Sequence, residues 1–218
     1  QERGLGELEQ FLLFSLVALG DKAYGVTDPE DLRRLYDDWS QSYDAEISEN
    51  GYATPGRAAK ALRKFVSDPG LPVLDYGCGT GLSGAALKHE GFEVLDGADI
   101  STEMLDQARG KGLYRALLAV DPADPVPFDK GAYAAIAAVG VIGPGAGPID
   151  LLDRLMEQLD SGGFLVFSLN DHALKDRRHK GRMNEQIDTG SAMLLHAKHG
   201  PHLPGIGLKS SVYVLEKR

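Results

Sequence analysis

The chain has one cysteine, Cys78, in 218 residues. No internal disulfide can hold it together, which suits a reducing, cytoplasmic location. Positive charge is also scarce: 23 Lys and Arg stand against 32 Asp and Glu, a formal net charge of -9. Such a molecule repels a polyanion as a whole, so no nucleic-acid partner is expected. The one basic cluster, Lys175 to Arg182, reads as a solvated helix face. Long apolar runs are missing too. The nearest, "FLLFSLVALG" at 11–20, falls short of the roughly 20 residues that span a bilayer. Glu7 and Glu9 precede it where a signal peptide carries positive charge. It reads as a buried helix, and no membrane contact is expected. The chain begins at Gln1 rather than Met, so further residues upstream are expected.

What remains is an ordinary globular composition, 43% hydrophobic and 25% charged. The length suits one domain with a small appendage. A domain of this size buries roughly 70% of its unfolded surface.

Residues 5–19 carry dense helical apolar spacing that Gly20-Asp21 ends. A second helix follows Thr27-Asp28-Pro29, an N-cap with proline in the first turn. On it Leu32, Leu35, Tyr36, Trp39 and Tyr43 share one face. A third helix is predicted at 55–66, with Ala58, Ala61, Leu62 and Phe65 inward. From Leu71 the texture alternates between short apolar runs and helical patterns. Strands are predicted at 72–77, 92–100, 114–121, 132–142 and 162–170, and helices at 82–90, 102–110 and 149–160. That repetition implies an α/β fold with a parallel sheet and helices on both faces. Residues 191–198 and 208–217 then read as an antiparallel pair at one sheet edge.

The chemistry concentrates in "VLDYGCGTGLSG", Val73 to Gly84. Gly79 to Gly84 fits the G-x-G-x-x-G of dinucleotide binders. Asp75 to Gly81 fits D-x-G-x-G-x-G, the loop of S-adenosylmethionine binders. Both loops bring a ligand against bare backbone at a helix start, and both use an acid at the end of the second strand, here Asp99. Asp75 separates them. It ends the first strand where NAD would place its pyrophosphate, and a carboxylate about 4 Å from a phosphate costs on the order of 4 kcal/mol at an effective dielectric of 20. S-adenosylmethionine presents a sulfonium and an ammonium there instead.

"VLDYGCGTG" followed by "GADIS-x-x-ML-x-x-AR" (97–109) resembles the class I S-adenosylmethionine-dependent methyltransferases. "YDDWSQSYD" (36–44) makes the chain similar, within that class, to the methyltransferase-like group of the Williams–Beuren region and its bacterial relatives. The resemblance implies a Rossmann-like, seven-stranded, mostly parallel sheet of order 3-2-1-4-5-7-6 with strand seven antiparallel. It implies S-adenosylmethionine as cofactor, with residues 67–218 as its domain and 1–66 as a helical extension and lid. It places the methionine portion on Gly77 and Gly79, with Cys78 between them and Asp75 near the ammonium. Asp99 takes the ribose hydroxyls, Ile100 and Met104 flank adenine, and Asp121 stands near the adenine amino group. Pro122 replaces the small residue usual after that Asp. Val139 and Gly140 lie beneath the transferring methyl.

The lid helix brings Tyr36, Trp39 and Tyr43, whose ring faces suit a sulfonium through cation–π attraction. Cys78 reads as a loop filler, with no base nearby. The histidines at 196, 199 and 202 would alternate faces on a strand, and no metal site is expected. His172, just after "FSLND", is the one candidate base. Residues 5–26 resemble the first helix of PadR-like regulators without a recognition helix, and a homodimer through that segment is expected. The reading is a methyltransferase acting on a small molecule. Its rivals are a non-catalytic S-adenosylmethionine-binding regulator and, disfavoured by Asp75, a nicotinamide-dependent oxidoreductase.

Overall fold

In the computed structural model, residue 26 and residues 28–121, 124–143 and 146–218 are described. The helix expected at 5–19, the PadR-like segment with its dimer, and Pro122 lie outside the described residues.

Seven strands form one sheet in the order β3-β2-β1-β4-β5-β7-β6. They are β1 (Val73–Tyr76), β2 (Leu95–Asp99), β3 (Ala116–Ala119), β4 (Ala135–Ala138), β5 (Phe164–Asn170), β6 (Ala192–Leu203) and β7 (Leu208–Lys217). The first five are parallel, whereas β7 runs antiparallel to both β5 and β6. The central strands are short apolar runs buried on both faces, as a parallel sheet between helices demands.

Alternate residues feed two cores. Leu74, Ile136, Ala138, Leu165 and Phe167 face one way, while Val73, Ala135, Ala137 and Val166 face the other. Seven helices occur among the described residues: α1 (Pro29–Glu49), α2 (Thr54–Arg63), α3 (Leu82–His89), α4 (Thr102–Gly110), α5 (Leu151–Gln158), α6 (Asp171–Lys175) and α7 (Arg177–Asp188). Leu151, Leu155 and Met183 of α5 and α7 close the first core. Ala58, Leu62 and Leu87 of α2 and α3 close the second. Each fully buried leucine contributes about 1.5–3 kcal/mol.

Local chemistry sets the helix starts. Asp28 caps α1 by accepting from the backbone N–H of Glu30 and Asp31 (2.9 and 3.1 Å), with Pro29 in the first turn. Ser101 caps α4 by accepting from Met104 N at 3.1 Å.

The differences from expectation are at element ends and in the tail. α2 stops at Arg63, not at residue 66, because Val66 turns in to bury against the sheet-facing core. β6 runs through "HGPHL" to Leu203, absorbing the extra residues in bulges at Leu194/His196 and Pro201/Leu203. Between β5 and β6 the basic cluster starts at Lys175, the end of α6, and continues along α7, which Asp176 caps.

Candidate active site

Strand order reverses between β1 and β4: the chain first adds β2 and β3 on one side, then β4 and β5 on the other. At such a switch point the carboxyl ends of parallel strands leave a crevice. A cavity of about 490 Å³ opens there, within the range of small-molecule sites.

The loop after β1 forms its floor. Gly77, Gly79 and Gly81 all have positive φ (67°, 53° and 96°), conformations that L side chains rarely adopt. A Cβ on Gly77 would lie 1.9 Å from Val141 Cγ1, whereas one on Gly79 would meet nothing within 4 Å. Gly79 therefore presents bare backbone to the cavity. Gly77 N and Cys78 N both donate to Ala98 O (2.7 and 3.0 Å), stitching the loop to β2.

Asp99 ends β2 and lines the cavity. Its Oδ2 accepts from Gly79 N at 2.8 Å and its Oδ1 from Ser101 N at 2.9 Å. Each oxygen keeps lone-pair capacity beyond those bonds, so the carboxylate is held in one orientation and still able to accept two hydroxyls. Burial raises its pKa, and the backbone N–H groups of Ser101, Gly79 and Ile100 oppose that rise.

Asp75 is placed differently. It is fully buried beneath the loop and is not among the residues that line the cavity. Its Oδ2 accepts from Ser83 Oγ and Tyr114 OH, both at 2.7 Å, and its Oδ1 has no partner. Burial drives its pKa up to about 6, against the two hydroxyl donors. A raised folded-state pKa favours the protonated form, so the stability Asp75 contributes is full below pH 4 and lost as pH rises through 6. The loss amounts to about 3 kcal/mol at most. Urea unfolding from pH 4 to 7 should show this slope in the parent and not in Asp75→Asn; equal slopes would place the carboxylate in a wetter setting.

The lid is α1. Tyr36 and Tyr43 line the cavity. Trp39 does not: it stacks on Tyr36 (centroids 6.1 Å apart), meets Tyr43 edge-on (4.8 Å) and donates to Glu46 Oε2 at 3.1 Å. The acids of "YDDWSQSYD" fasten this helix down. Asp44 accepts from Thr80 Oγ1 in the glycine loop and from Lys111 Nζ. Asp37 accepts from Ser101 Oγ, the hydroxyl that caps α4. Sequence reasoning passed over these two fasteners; their seven-residue spacing, which puts both on one side of the helix, was the available signal.

Ile100, Met104, Val139 and Gly140 line the cavity. Gly140 N donates to Ser168 Oγ at 2.9 Å, fixing the end of β4. Cys78 is buried beside Gly97, where a Cβ would lie 2.9 Å from its sulfur. That is a packing role, and burial pushes its thiol pKa up. Asp121 and His172 do not line the cavity. Tyr52, Tyr76, Asp176, Arg178 and His179 do, none of them anticipated from sequence.

These residues fit S-adenosylmethionine: an oriented carboxylate for a ribose diol, an apolar pair for a base, and bare backbone for the amino-acid end. Residues 73–163 match the methyltransferase domain family. Human methyltransferase-like protein 27 is 35% identical over 138 residues, which is 61% of this chain and 56% of that protein. The 18S rRNA (guanine(1575)-N(7))-methyltransferase of Saccharomyces cerevisiae is 36% identical over 83 residues, 38% of this chain and 30% of that one. The chain thus spans little more than half the length of the first relative and less of the second. Among solved structures, a methyltransferase in complex with the Haloferax volcanii Trm112 methyltransferase activator aligns with a TM-score of 0.65 at 18% identity, over 86% of this chain and 98% of that one. A Thiobacillus denitrificans S-adenosylmethionine-dependent methyltransferase in complex with S-adenosyl-L-homocysteine aligns at 0.53 and 14% identity, over 74% and 91%.

These relatives correct one expectation. A small-molecule acceptor with no nucleic-acid partner does not stand, because relatives are named for action on ribosomal RNA. Net charge describes the far field of a whole molecule and not what its site accepts. No helix among the described residues is long and apolar enough to cross a membrane.

Proposed function

The chain carries a class I S-adenosylmethionine-dependent methyltransferase domain, and from that premise we propose that it transfers the cofactor's methyl group to an acceptor held beyond the carboxyl ends of β4 and β5. The observation that carries this reading is Asp99, whose two oxygens are aimed by Gly79 N and Ser101 N at the mouth of a glycine loop. When bound, S-adenosylmethionine supplies a methyl group made electrophilic by its sulfonium.

The chain's own residues bind and orient. Asp99 takes the ribose hydroxyls, backbone at Gly77 and Gly79 takes the methionine portion, and Ile100 and Met104 flank adenine. Tyr36 and Tyr43 turn ring faces toward the cationic centre, with Trp39 packed behind them. Asp75 acts through the loop it supports and adds negative potential beneath it. Val139 and Gly140 border the acceptor. Methyl transfer needs chiefly orientation and exclusion of water, which the fastened lid provides.

Calorimetry with S-adenosylmethionine, S-adenosylhomocysteine and NAD tests the reading. The first two should bind and NAD should not; NAD binding alone would overturn it. An acceptor panel should include ribosomal RNA, since named relatives methylate guanine N7 there. Cofactor binding with no turnover on any acceptor would favour a regulator instead.

A further inference from the structure

Tyr52 lines the cavity from the turn between α1 and α2. The backbone on either side of it is tied down: Gly51 N donates to Ser48 O at 3.0 Å, and Ala53 N donates to His202 O at 2.9 Å. Its ring meets the His202 imidazole edge-on, with centroids 5.2 Å apart. It also belongs to the small apolar cluster of Ile47 from α1 and Leu203 from β6. His202 is buried, and its Nδ1 pairs with Thr54 Oγ1 at 2.7 Å. The wall behind the Tyr52 ring is therefore itself fixed.

The polar end of that ring reaches the end of β4. A Cβ on Gly140 would stand 2.9 Å from Tyr52 OH and, apart from chain neighbours, would meet no other atom within 4 Å. Gly140 is exposed and lines the cavity. Its bare face and the Tyr52 hydroxyl thus border the same open space. Tyr36 and Tyr43 line the cavity as well. Burial raises the Tyr43 pKa, and Tyr52, Tyr36 and Asp99 push it the same way, so the three phenols gather near the carboxylate. Only the Tyr52 hydroxyl is placed against Gly140.

We propose that Tyr52 is a catalytic residue whose phenol oxygen touches the methyl group to be transferred and holds it beside Gly140. A phenol oxygen has two acceptor lone pairs besides its O–H. A methyl on a sulfonium is polarised, and its C–H groups are weak donors to such an oxygen. Because the ring is anchored on β6 and on the lid helix at once, it holds the oxygen in place before the ligand arrives. The inference rests on the proposed function, which puts the acceptor beyond β4 and β5 and the methyl at the end of β4.

Sinefungin reads this contact without any acceptor, because it carries an amino group on carbon where S-adenosylmethionine carries methyl on sulfur. In calorimetry the parent should bind sinefungin at least as tightly as S-adenosylhomocysteine. Tyr52→Phe keeps the ring against His202 and removes only the oxygen. It should bind sinefungin about tenfold more weakly, the loss of one hydrogen bond to a charged group. Its S-adenosylhomocysteine affinity, which also reports folding, should stay at the parent value. Sinefungin binding tenfold weaker than S-adenosylhomocysteine in the parent would overturn the inference without any variant. So would an unchanged ratio of the two affinities in Tyr52→Phe, whether both hold or both fall together. Failure of S-adenosylhomocysteine to bind the parent would instead overturn the proposed function, and this inference with it.

Discussion

Asp99→Ala should bind S-adenosylmethionine about 2–3 kcal/mol more weakly than the parent, on the order of 30- to 150-fold, because hydrogen bonds to a charged group are lost. The effect is large because the carboxylate is oriented in advance. Its oxygens are fixed by Gly79 N and Ser101 N at 2.8 and 2.9 Å, so no ordering is left for the ligand to impose. The same bonds tie the glycine loop to the start of α4, and the substitution will also cost stability. Thermal unfolding without ligand measures that part, and calorimetry below the unfolding range measures the affinity. Asp99→Asn keeps one acceptor and should fall between. An Asp99→Ala variant with parental affinity would show that the ribose is not held at the end of β2.

Gly84→Ala carries the second large effect, and its sign is the informative part. Gly84 lies inside α3, where alanine is ordinarily the better residue by about 1 kcal/mol. Here an added Cβ would sit 2.1 Å from Tyr114 OH and 2.4 Å from its Cζ. The ring cannot readily retreat, since its hydroxyl donates to Asp75 at 2.7 Å and its edge already lies 3.2 Å from where a Cβ on Gly97 would stand. Forcing Tyr114 aside removes one of two donors from a buried carboxylate. Overpacking together with that loss should destabilise by about 3 kcal/mol, or roughly 6–12 °C in Tm for a chain of this size. In a Tyr114→Ala background the clash is gone, and Gly84→Ala should become neutral or stabilising. A stabilising Gly84→Ala in the parent would mean that α3 does not pack on Tyr114.

Gly84 also shows where reading the sequence reached its limit. It completes a dinucleotide fingerprint, yet its contact is with Tyr114, thirty residues along the chain and on the far side of β2. Asp75 is the complementary case. Its type and place beside the loop were legible, whereas its burial under Ser83 and Tyr114 was not. The aromatic face of "YDDWSQSYD" was legible as a helix face because periodicity is local. Which of its rings reach the cavity depended on how α1 is tied down by Asp37 and Asp44. His172 was expected at the site because it follows β5 directly; His179, one helix later, lines the cavity instead.

By itself the sequence determined the alternation of strands and helices, the glycine loop and the acid at the end of β2. Each of these is written in neighbouring residues: apolar periodicity, positive-φ turns, and a carboxylate at a fixed interval from the loop. Only the tertiary structure decided which side chains converge. Asp44 with Thr80, Tyr114 with Asp75 and His179 with the crevice are pairings across the fold, made when the sheet stacks its strands in an order that the chain does not follow.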